Sequence, residues 1–138
     1  MKALVIGCGR VGSAVSLQLA RSGWDVTVLD ENEDSLARLG ETWTGGFVVG
    51  HGMDLHLLRE AGIEEADAVV VTTDGDNTNI VIAQAAQKHF EVPMVVARLL
   101  DPARAQFYAE RGLRVVCPTS AAIETLVETV RATEQVAT

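Results

Sequence analysis

A chain of 138 residues, 48% hydrophobic and 22% charged, is the size of one folded domain and too apolar to be disordered. Its 19 acidic residues outnumber 11 basic ones, and the resulting charge of −8 argues against nucleic acid or an anionic membrane surface as a partner. No apolar run approaches the roughly 20 residues of a spanning helix, and the N-terminus enters a strand at once without a charged leader, so a cytoplasmic protein with no direct membrane insertion is expected.

Six strand-like runs rich in Val and Ile fall at 3–6, 26–29, 47–49, 68–72, 94–97 and 114–116, with helical spacing between them. The runs "ALVI", "AVVV" and "MVVA" are apolar at consecutive positions, as parallel strands covered on both faces are. The intervening helices are set by their stop signals: 11–22 closes at Gly23, 33–39 at Gly40 and 55–61 at Gly62. Asp76 or Asn77 is expected to cap a helix running to about His89, and Asp101 precedes Pro102 in the order of a cap and a first-turn proline. A last helix over about 120–134 carries Ile123, Leu126, Val127 and Val130 as an amphipathic stripe, and the closing "EQVAT" is expected to fray. Strict alternation predicts an α/β, Rossmann-like, doubly wound parallel sheet of six strands in the order 3-2-1-4-5-6, with helices on both faces and a ligand at the C-terminal strand edge.

Between the first strand and first helix, Gly7, Gly9 and Gly12 form G-x-G-x-x-G. Gly7 makes the tight turn, Gly9 lets a pyrophosphate approach the backbone, and Gly12 lets the helix pack on the strand. The helix N-terminus then faces the phosphates. Asp30 closes "VTVLD" 18 residues after Gly12, near the spacing at which a carboxylate takes ribose hydroxyls. A carboxylate there repels a 2′-phosphate, so NADP is disfavoured relative to NAD, ATP, ADP or AMP.

Catalytic equipment is sparse. Only the last helix follows the sixth strand, so no substrate domain is expected; Tyr108 has Gly112, not Lys, four positions on, and no G-x-S-x-G elbow occurs. His51 and His56 are five apart, a spacing that suits no usual zinc pattern, and His89 sits at a helix end. Glu64 and Glu65 read as a solvated turn. Cys8 and Cys117 form no C-x-x-C and read as reduced thiols in apolar places. No catalytic residue and no metal site is assigned.

Three stretches taken together, "VIGCGRVGSAVSLQLARSGWDVTVLDENEDSL", "GHGMDLHLLREAGIEEADAVVVTTDGDNTNIVIAQAAQ" and "VVARLLDPARAQFYAERGLRVVCPTSA", resemble the nucleotide-binding N-lobe of RCK domains, also called KTN or TrkA-N. The resemblance runs over nearly the whole chain and includes the third-strand G-x-x-x-D, the "AGI-x-x-AD" lead into the fourth strand, the Thr–Asp–x–x–Asn segment and the Arg ending the fifth. It implies a cytoplasmic gating subunit of a potassium channel or Trk/Ktr-type transporter, peripheral to the inner face of the cell membrane, that binds NAD(H) or ATP/ADP without consuming them. It also implies a homodimer or higher ring working with an integral-membrane partner, with the chain as a single N-lobe, 1–138, and no C-terminal lobe.

The site implied comprises Gly7, Cys8, Gly9, Arg10, Val11 and Gly12 in the loop, Asp30 and Glu31 after the second strand, His51, and Thr73, Asp74 and Asn79 after the fourth. Arg10 is expected to reach terminal phosphates, and Arg98 to be structural or interfacial. Two departures stand out: Gly50-His51 replaces a Gly-Asp pair near the base, and Pro118-Thr119 replaces a Pro-Glu pair that joins a cation site in ATP-binding relatives. A NAD-dependent oxidoreductase module with its substrate domain on another chain, and a scaffold with a degenerate pocket, are the competing readings.

Overall fold

The computed structural model describes residues 1–137. Six strands, β1 (Lys2–Ile6), β2 (Asp25–Asp30), β3 (Gly46–Val49), β4 (Ala68–Val71), β5 (Met94–Arg98) and β6 (Arg114–Val116), form one parallel sheet in the order β3-β2-β1-β4-β5-β6. The register brings Ile6 beside Leu29 and Val71, so β1, β2 and β4 end together at one edge.

The consecutive apolar residues divide between two layers because successive side chains leave opposite faces of a strand. Leu4, Ile6, Leu29, Val69, Val71 and Ala97 pack with Leu58, Ile82 and Ala86 on one face. Ala3, Val5, Val26 and Val28 pack with Val15, Leu17 and Leu19 on the other. The first group draws on helices α2 (Leu55–Glu60) and α3 (Asp76–Gln84) with its continuation, the second on α1 (Arg10–Arg21). Asp67, from the "AGI-x-x-AD" segment, accepts a hydrogen bond from Lys2 N at 2.7 Å and ties β4 to the start of β1.

Several helices differ from the expected ones. Residues Glu33–Leu39 form a 3-10 segment, not an α-helix, its start capped by the Asn32 side chain and its Ser35 hydroxyl drawn back to Asp30. α3 runs on through a π-helical turn, Ala85–His89, in which Phe90 N donates to Ala85 O. Asp76 does not cap α3: Gly75 holds that position, and the Asp76 carboxylate instead accepts from Leu100 N and Asp101 N, at 2.8 and 2.9 Å. Asp101 does cap α4 (Pro102–Ala109), with Pro102 in its first turn. The last helix, α5 (Pro118–Ala137), starts before and continues beyond the expected 120–134. The expected fraying is therefore not seen as far as Ala137, and Thr138 lies outside the described residues. No described helix is long and apolar enough to cross a membrane.

Candidate functional site

The C-terminal ends of β1, β2, β3 and β4 surround a cleft of about 430 Å³, within the range of small-ligand sites. Its floor is the loop between β1 and α1. Gly7 has φ +101°, and a Cβ there would lie 2.5 Å from Thr72 O, so only glycine lets the loop nest on the end of β4. A Cβ on Gly12 would lie 1.8 Å from Gly7 O, which seats α1 directly on the loop. Gly9 is different: nothing lies within 4 Å of its missing side chain, so the backbone is bare towards the cleft beside the free N–H groups of the first turn of α1.

Asp30 anchors this loop. One carboxylate oxygen accepts from Cys8 N at 2.7 Å, and the other from Asn32 N at 2.7 Å and Ser35 Oγ at 3.3 Å. A carboxylate offers about four acceptor positions, so a lone pair remains for a ligand hydroxyl. The Cys8 thiol turns inward to Ser35 O at 3.4 Å and is buried. Burial first, then the Asp30 charge, push that thiol above its ordinary pKa, and Arg38 opposes them. Across the mouth, His51 Nε2 meets Glu31 Oε1 at 2.7 Å, while His51 Nδ1 accepts from Met53 N at 3.3 Å.

The wall after β4 is held from behind. Asn79 accepts from Thr73 N and Oγ1, and its amide nitrogen donates to Thr73 O at 3.1 Å and Arg98 O at 2.8 Å. Arg98 donates to Thr73 O at 2.9 Å and Thr72 O at 3.3 Å. Thr73 and Asp74 line the cleft. So does Thr72, whose buried hydroxyl has no partner in the structure. An open phosphate cradle and an anchored carboxylate with acceptor capacity to spare fit the adenosine diphosphate part of a nucleotide.

A family model described as the TrkA-N domain matches residues 3–119. The chain belongs to the TrkA-N domain family. It is 45% identical over 116 residues to the Trk system potassium uptake protein TrkA of Streptomyces coelicolor, covering 84% of this chain and 52% of that protein. This TrkA-N chain thus spans about half the length of that relative. Among solved structures, the GsuK channel bound to NAD is 26% identical with a TM-score of 0.80, covering 96% of this chain and 24% of that one. GsuK bound to ADP gives 26% and 0.79, covering 96% and 34%.

Within the TrkA-N cleft the structure brings together Gly7, Cys8, Gly9, Asp30, Glu31, His51, Thr73 and Asp74. Four expected residues fall elsewhere. Asn79 is 1% exposed with its amide committed to Thr73 and Arg98, so it shapes the wall and does not face a ligand. Arg10 and Val11, exposed in the first turn of α1, lie outside the lining, and Gly12 is buried beneath the loop as a packing residue. Arg98 is structural, as expected. Sequence reasoning missed Ser35, Arg38 and Thr72. Ser35 and Arg38 follow Asp30 by five and eight residues in "DENEDSLARL", but only the 3-10 winding turns both towards the cleft.

Proposed function

We propose that this chain is the nucleotide-sensing domain of a Trk-type potassium uptake system. It acts on the cytoplasmic side of the membrane and binds NAD(H) or ADP/ATP without consuming it. The observation that carries the reading is the Asp30 carboxylate joining β2 to the glycine loop beneath the bare Gly9 backbone. The loop offers N–H groups and a helix dipole to phosphates, and Asp30 offers the remaining acceptor to a ribose. The NAD and ADP complexes of GsuK support the same ligand class.

Sensing requires a ligand that binds two conformations unequally. The cleft lies between the loops after β1, β2, β3 and β4, so a bound nucleotide bridges them. Coupling to a potassium-conducting membrane partner is then a matter of how paired domains sit with and without that bridge. Arg10, exposed at the start of α1 and outside the cleft lining, is placed for a terminal phosphate beyond the cleft or on a neighbouring copy. Tyr108 lies on the separate α3–α4 groove, away from the cleft, which favours binding without chemistry.

The test is a thermal-shift panel of NAD⁺, NADH, NADP⁺, ATP, ADP and AMP on wild type and Asp30→Ala. Ligand at a hundred times its Kd stabilises by about 2.7 kcal/mol, on the order of 5–10 °C for a domain this size. Wild type is expected to respond to the ligands with a free 2′-hydroxyl, and Asp30→Ala to lose most of the response. Equal melting with and without every nucleotide rejects the reading, and steady NADH consumption rejects its non-enzymatic part.

A further inference from the structure

The geometry points to Arg38 as the phosphate-reading residue of the cleft. This rests on the adenine-nucleotide reading above and goes beyond it by naming the cation that makes phosphate binding favourable.

Three carboxylates line the cleft, Asp30, Glu31 and Asp74. A diphosphate entering such a site is repelled unless a cation faces it, and helix N–H groups supply only partial charge. Arg38, in the last turn of the 3-10 segment, is the permanent cation among the lining residues. The other arginines with partners are spoken for. Arg98 is bonded to the carbonyls at the end of β4, Arg59 pairs with Glu64, Arg104 meets Asp101 and Asn77, and Arg111 lies over Phe107. Among the described residues, no ion pair engages the Arg38 guanidinium and no hydrogen bond within the chain occupies its donors.

Arg38 and the loop residues Gly7, Cys8 and Gly9 line the same cleft, and Arg38 is near enough to the loop that its charge opposes the rise of the Cys8 thiol pKa. A planar guanidinium presents five N–H donors in a fork matched to phosphate oxygens and stays charged at every physiological pH. No ion pair joins Asp30 to Arg38, and both Asp30 oxygens are turned to Cys8 N, Asn32 N and the Ser35 hydroxyl, so the guanidinium donors stay open to a ligand. The division of labour is therefore clear: Asp30 holds the loop and a ribose hydroxyl, and Arg38 holds phosphate.

Calorimetric titration of adenosine, AMP, ADP and NAD⁺ into wild type, Arg38→Ala and Arg38→Lys tests this. Arg38 is exposed, so the unliganded variants should melt within about 1–2 °C of wild type. Arg38→Ala is expected to leave adenosine affinity unchanged and to weaken AMP, ADP and NAD⁺ about tenfold or more, with a shallower salt dependence. Arg38→Lys should restore only part of the loss, because a point charge cannot bind bidentately. Wild type that binds ADP, beside Arg38→Ala binding it with the same affinity and salt dependence, overturns the assignment. Wild type that binds no adenine nucleotide overturns the reading of the cleft itself, and the role of Arg38 with it.

Discussion

His51 and Glu31 close the mouth of the cleft from opposite loops, Nε2 to Oε1 at 2.7 Å. Met53 N–H donates to His51 Nδ1, so in the neutral ring the proton is assigned to Nε2 and the contact to Glu31 is a hydrogen bond from the imidazole. The link joins the ends of β2 and β3, the two sides between which a base must sit if Asp30 holds its ribose. At that position the chain places a flat ring hinged to the opposite wall.

That arrangement predicts a binding effect without a folding effect. Both side chains are about half exposed or more, so the pair contributes roughly 0–1 kcal/mol to stability and His51→Ala should melt with wild type. Loss of a ring face for the base should weaken AMP, ADP and NAD⁺ by a common factor of about three to ten, since all three share adenosine. Titration calorimetry on one preparation checks both halves. Unequal losses that grow with phosphate number would place His51 against the phosphates instead.

The two loop glycines should separate folding from binding. Gly12→Ala puts a methyl 1.8 Å from Gly7 O, and relief requires α1 to move off the sheet, so a loss of about 3 kcal/mol or more in urea denaturation is expected. Gly9→Ala meets nothing within 4 Å, and Gly9 has φ −83°, open to any residue, so stability should stay within about 0.5 kcal/mol of wild type. Its methyl projects where a phosphate must approach, and ADP affinity should fall at least tenfold. A Gly9→Ala protein that binds ADP normally would show that the phosphate rests elsewhere.

The sheet was legible because its central strands are apolar on consecutive residues and four of its five crossovers end in a glycine; "AVVV" reads as a strand covered on both faces. The glycine loop and Asp30 were legible because backbone approach and ribose recognition impose a fixed spacing. What escaped was set by winding and by long-range pairing. Helical periodicity does not distinguish an α-turn from a 3-10 turn over seven residues, and on that difference depends whether Arg38 faces the cleft. Asp76 looked like the cap of its own helix, but it meets the N–H groups of Leu100 and Asp101, a contact made only when β4 and β5 lie side by side. Asn79 sat in the right motif for the wrong reason: it positions Thr73 and Arg98 from inside the wall.

Cys8 predicts an alkaline limit on stability. Burial and the Asp30 carboxylate raise its pKa in the folded state above the ordinary 9.0. The unfolded chain therefore gives up this proton at lower pH than the folded one. The contribution is complete below that ordinary value and is lost as pH climbs through the raised one. Denaturation between about pH 7 and 10.5 should show wild-type stability falling at the upper end. Cys8→Ala, about 1–2 kcal/mol less stable at neutral pH from the lost packing, should show a smaller alkaline fall. Parallel slopes for the two proteins would assign the alkaline loss to other groups.

The last helix bears on assembly. Beyond Ser120 every residue of α5 with a described side chain is exposed, including Leu126 at 67% and Val130 at 70%, and Val116 on β6 is exposed beside its start. An isolated helix of 20 residues that shows its apolar stripe to water is marginal, so its stability calls for a covering surface. A second copy is the predicted occupant, stripe against stripe or stripe against the Val116 edge, in line with the homodimer or ring that the resemblance to RCK domains implies. Multi-angle light scattering at micromolar concentration should then give a dimer or a larger ring. The double substitution Leu126→Glu and Val130→Glu should shift it to monomer without changing ADP affinity in the cleft, which α5 does not line. A wild-type protein that stays monomeric at micromolar concentration removes self-association from the prediction.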